Sequence, residues 1–140
     1  MKRLLSNSVL LIMIILSFHS CKSNNTEPKA IKLEGLKLNN SKKWIANEET
    51  HIGMKRIDSI LTNNTATNGI VLGDILSKQT SYIIKSCDME GEAHDQLHVV
   101  LVPMLEEITN IKDEHNRLKL EQKINHLKSL TDTYFEYFKL

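Results

Sequence analysis

Glycine and proline are scarce in this 140-residue chain, five and two respectively, which excludes collagen-like, linker-like and turn-rich all-β architectures. No apolar run approaches the ~20 residues of a membrane-spanning helix. An excess of charge is also missing. Eighteen Lys and Arg stand against seventeen Asp and Glu, so nothing electrostatic asks for nucleic acid. Only two cysteines occur, Cys21 and Cys87, and there is no Cys-x-x-Cys-His segment, which excludes covalent c-type haem. What is present, 41% hydrophobic and 25% charged residues, suits one globular domain of ordinary size.

The first twenty residues have the three-part layout of a bacterial secretory signal. Lys2 and Arg3 give a positive start, residues 9–16 form an apolar octet, and Ser17-Phe18-His19-Ser20 leads to Cys21. This stretch resembles a lipoprotein signal, in which the thiol of the cysteine after the cut is diacylated and becomes the new N-terminus. The expectation is a chain tethered to the lipid bilayer through acylated Cys21, in the cell envelope, facing the periplasm or the cell surface. A plain secretory signal that happens to end at a cysteine is the other reading. Each buried acyl methylene is worth ~0.8 kcal/mol, so two or three chains suffice as an anchor. Removing residues 1–20 takes away two basic residues and no acid, leaving sixteen against seventeen. Attraction to an anionic bilayer is therefore expected from the lipid and not from the protein face. With Cys21 acylated, Cys87 has no disulfide partner.

Residues 22–29 read as a polar tether. In residues 30–46, Ile31, Leu33, Leu36 and Leu38 flank Gly35, and Asn39-Asn40-Ser41 is turn chemistry, which predicts a short extended arm or hairpin ending at Trp44. From Asn47 the period becomes helical. Asn47 is an N-cap ahead of Glu48 and Glu49, and Ile52, Ile57, Ile60 and Leu61 mark helix one. Helix two runs from about Ile70 to Cys87 with the stripe Leu72, Leu76, Thr80, Ile83, Cys87. Helix three starts near Glu92 with the stripe His94, His98, Leu101, Leu105, Ile108, and Pro103 predicts a bend inside it. Helix four begins around Asp113 with Leu120, Ile124, Leu127, Thr131, Tyr134, Phe138. The predicted fold is all-α, an up-down-up-down four-helix bundle over 47–140, preceded by a signal peptide (1–20) and a lipidated tether and extended arm (21–46).

That topology would gather Trp44, His51, Cys87, Met89, His94, His98, Tyr134, Tyr137 and Phe138 at one pole. His94 and His98, at i and i+4, project from one helix face and offer two imidazoles to one metal ion. Cys87 and Met89 add a thiolate and a thioether, soft donors that favour copper(I) first and zinc second, with His51 as a further, weaker ligand. The bland alternative is that the histidines hydrogen-bond to nearby Asp88, Glu90, Glu92 or Asp95 and that Cys87 and Met89 only fill the core. Non-covalent haem at a bundle pole is conceivable. Catalysis through Cys87 has no oxyanion-hole or glycine-rich signature beside it, so the chain is not expected to be an enzyme. His115 and His126 fall off the helix-four stripe and are expected in solvent.

The run Lys85-Ser86-Cys87-Asp88-Met89-Glu90-Gly91-Glu92-Ala93-His94-Asp95-Gln96-Leu97-His98 resembles a segment shared by small, uncharacterised bacterial lipoproteins with an all-helical mature domain, a Lys-Trp opening (here Lys43-Trp44) and an aromatic last helix. The resemblance implies a lipoprotein and a helical fold, and carries no activity with it. Two functions follow as expectations. One is a soft-metal binder using Cys87, Met89, His94 and His98. The other is a metal-free protein-interaction or envelope-structural module with a partner protein.

Overall fold

The computed structural model describes residues 29–65 and 68–140. The expected signal peptide, Cys21 and most of the expected tether lie outside the described residues. Four helices follow the arm: α1 (Glu48–Thr62), α2 (Gly69–Ser86), α3 (Gly91–Lys112) and α4 (Arg117–Tyr137). Each packs on the next, and α1 also packs on α4, which makes an all-α four-helix bundle around one core.

Local chemistry explains the helix boundaries. Asn68 caps α2 by accepting from the Ile70 and Val71 amides at 2.9 and 3.4 Å, and Asn116 caps α4 by accepting from Lys119 N at 3.1 Å, so each satisfies donors the first turn leaves open. That cap sets the start of α4 at Arg117, later than the expected Asp113. Asn47 precedes α1, but its side chain makes no cap bond. Its Nδ2 donates instead to Glu49 Oε2 and to Ser86 O, both at 2.9 Å. Gly91 opens α3 at φ +61°, a left-handed conformation glycine adopts without strain. Helix α3 runs on through Pro103.

The stripe expected for α4 is buried, and so is that for α2 except for Cys87, which is half-buried just past the helix end. Leu72, Leu76, Thr80 and Ile83 are buried on α2, and Leu120, Ile124, Leu127, Thr131, Tyr134 and Phe138 on or just past α4. Helix α3 differs from expectation. Its inward face is Leu97, Leu101, Met104, Ile108 and Ile111, with Val100 alongside. His98 is exposed and His94 only half-buried. Counting back four from Leu101 reaches Leu97, and that side chain takes the place the expected stripe reserved for His98.

The arm is stitched down along its length. Asn39 and Lys42 exchange both backbone bonds at 2.9 Å across a two-residue turn in which Asn40 and Ser41 have φ +47° and +66°, the geometry that suits a tight hairpin. Strand β1 (Trp44–Ile45) then pairs in parallel with β2 (Phe138–Lys139), Trp44 opposite Phe138. The start and end of the domain are thus bonded to each other.

Candidate functional site

Near the arm, the start of α1 meets the end of α2 through Asn47 and Ser86 and the last turns of α4 through His51 and Tyr134. Three buried groups meet there. His51 Nδ1 and the Tyr134 hydroxyl share a hydrogen bond at 3.2 Å. Phe135 meets the His51 ring edge-on with centroids 5.6 Å apart, and Phe138 stacks on Tyr134 at 5.0 Å with the two rings nearly parallel. Burial holds the His51 imidazole below its usual pKa, and Lys55 adds to the effect, because both disfavour the cation. Burial pushes the Tyr134 hydroxyl well up, with a smaller contribution from Cys87. A buried imidazole and a buried phenol share this layer, and Cys87, a half-buried free thiol, stands at the end of α2.

Two polar atoms in it have no partner. Asn47 Oδ1 and Thr50 Oγ1 are shielded from solvent without a hydrogen bond among the described residues, although Thr50 is wholly buried. An unpaired buried hydroxyl costs free energy, so this turn of α1 is less well satisfied than the rest of the core.

The predicted ligands separate into two sets. His94 and His98 lie side by side, ring centroids 4.3 Å apart, and neither makes a hydrogen bond or ion pair among the described residues. Cys87 caps the end of α2, half-buried, and Met89 is half-buried in the loop, both packed against the core. Four residues join α2 to α3, so both sulfurs lie within a few residues of His94. His51 is committed to Tyr134. Among the described residues no three His, Cys, Asp or Glu side chains converge where they could hold a metal ion. The expected gathering of one thiol, one thioether and two inward imidazoles is thus reduced to a half-open imidazole pair beside a sulfur-bearing loop. His115 is exposed, and His126, also exposed, sits 3.5 Å from Glu107 Oε1.

Sequence reasoning missed the polar residues that hold the arm on this end. Gln96 is buried; its Oε1 accepts from Lys37 N at 2.7 Å and its Nε2 donates to Gly35 O at 3.2 Å. Thr133 Oγ1 accepts from Ile31 N at 2.8 Å. The indole N–H of Trp44 donates to Lys37 O at 2.7 Å. The available signal was a polar residue in an apolar register: Gln96 beside Leu97, and Thr133 beside Tyr134.

Set against known proteins, the chain matches no family model, no curated protein and no solved structure. No helix among the described residues is long and apolar enough to cross a membrane.

Proposed function

We propose that the protein is a membrane-tethered lipoprotein of the cell envelope, anchored through acylated Cys21, whose helical bundle takes a transition metal at its arm end. The observation that supports the metal most directly is the pair of imidazoles at His94 and His98, 4.3 Å apart and partly open to solvent. Two imidazoles a turn apart are a competent foothold for zinc or copper. Cys87 and Met89, on the short loop that leads into α3, are the soft donors that would complete the set for copper(I). The reading takes the helices as alternating in direction, up-down-up-down. Contacts that support it are Asn47 against Ser86, His51 against Tyr134 and Gly69 against Ile111, each joining the start of one helix to the end of another.

Titration of the mature chain with copper(I) or zinc under reducing conditions is expected to give about one bound equivalent, lost when His94 and His98 are both replaced by alanine. Equal and negligible binding by both chains refutes the metal. Replacing Cys21 by serine is expected to release the protein from cell membranes at physiological salt. Unchanged membrane association refutes the anchor.

A metal-free interaction module is the second reading, and a separate observation favours it. Helix α2 leaves Ile70, Val71, Ile75 and Ile84 between 40% and 54% exposed, more apolar surface than a solvent-facing helix needs.

A further inference from the structure

The arm is a basic strip. Between residues 29 and 46 it carries Lys29, Lys32, Lys37, Lys42 and Lys43 against a single acid, Glu34. Residues 47–140 carry ten basic residues against fifteen acidic, so the near-neutral total conceals a separation of charge. All five lysines are exposed. Among the described residues only Lys37 has an acidic partner, Glu92 at 2.6 Å, and Lys43 donates to the Phe135 carbonyl. Three exposed apolar side chains accompany them: Leu38 on the arm, Ile45 on β1 and Leu140 after β2. Pairing of β1 with β2 puts Lys139 opposite Ile45 and adds another exposed cation. Acids also stand at this end: Glu48, Glu49, Asp88 and Glu90 at the start of α1 and in the α2–α3 loop, and Glu92, Asp95, Asp132 and Glu136 on the stretches of α3 and α4 to which the arm is bonded through Gln96 and Thr133, so the excess of lysine belongs to the arm itself.

We propose that this arm face docks on the headgroups of an anionic bilayer, with the lysines at the phosphates and Leu38, Ile45 and Leu140 at the interface. Clustered lysines beside a few apolar side chains are the chemistry of an interfacial contact. The place of the arm in the chain agrees. The first stitched residue, Ile31, is ten residues beyond Cys21, so a lipid at Cys21 keeps the arm within ~36 Å of the membrane. That proximity rests on the proposed anchor; the basic apolar face does not. Docking would also turn His94, His98 and the Cys87 loop towards the bilayer.

The test uses the mature chain with Cys21→Ser, which has no acyl group, and vesicles of phosphatidylglycerol and phosphatidylcholine in equal parts. Binding at low salt is expected, fading as salt rises and absent on phosphatidylcholine alone. The triple variant Lys29→Gln/Lys32→Gln/Lys42→Gln is expected to bind about a hundredfold more weakly, since each lysine at an anionic surface contributes about fivefold. Lys119→Gln/Lys123→Gln/Lys128→Gln on α4 serves as the control and is expected to change little. No preference for phosphatidylglycerol, or equal loss in both triple variants, overturns the inference. The anchor is judged separately: release of the Cys21→Ser chain from cells together with indifference to these vesicles would leave the anchor standing and remove the arm surface.

Discussion

The two ends of the bundle are closed by different means. Away from the arm, closure is steric. A Cβ on Gly69 would be driven into the Ile111 carbonyl oxygen and press on Leu120, and one on Gly73 would collide with Lys112. Helix α2 can approach α3 and α4 there only because it has no side chain at those points. At the arm end, closure is polar and aromatic: a His51–Tyr134 bond, a Tyr134–Phe138 stack and a strap held by Gln96 and Thr133. The first end is held by close backbone approach. Among the described residues, the second buries titratable groups, leaves two polar atoms unsatisfied and carries the thiol. A mixed polar layer of this kind carries reactive groups at some cost in stability.

The largest expected effect is at the steric end. Gly69→Ala should destabilise the domain by about 3 kcal/mol or more, because backbone and not a flexible side chain must move. Urea unfolding measures it, and a cost under ~1 kcal/mol would show that the end is not closely packed. Tyr134→Phe comes next. It keeps the ring stack and removes the hydroxyl, leaving His51 Nδ1 buried without its partner, an expected loss of about 1–3 kcal/mol.

The pH dependence of the arm end follows from His51. Its folded pKa is below the unfolded value, so the unfolded chain binds the proton first as pH falls. Its contribution is intact above the unfolded pKa of ~6.5 and is lost progressively below it. Replacing His51 by glutamine should flatten that part of the stability profile, and an unchanged slope would remove His51 from the account. Smallest is Thr50→Val. The buried hydroxyl has no partner among the described residues, so a methyl should be neutral or stabilising by up to ~1 kcal/mol. A clear loss would mean that the hydroxyl holds something in solution.

Legibility in the sequence divides along similar lines. Helices α2 and α4 were readable because their apolar residues are spaced and interrupted by polar ones, so a single face stands out. Helix α3 was not. Leu97, Val99, Val100, Leu101 and Val102 put apolar side chains on nearly every face, and neighbouring helices decide which are covered. The two imidazoles were consequently expected inside, although Val102 and His98 are the ones left outward. The adjacency of His94 and His98 was readable, since i and i+4 spacing is local geometry. The His51–Tyr134 bond spans 83 residues and the arm's bonds to Gln96 and Thr133 span 59 and 102. Such pairings depend on how the helices come together, which no local period encodes.

The parallel pairing of β1 with β2 sets an order of events. Trp44 and Ile45 find their backbone partners in Phe138 and Lys139, which the ribosome adds only after all four helices. All four helices can be complete while the front of the domain is still unlatched. A chain stopped at Tyr137 would keep every helix and lose that latch.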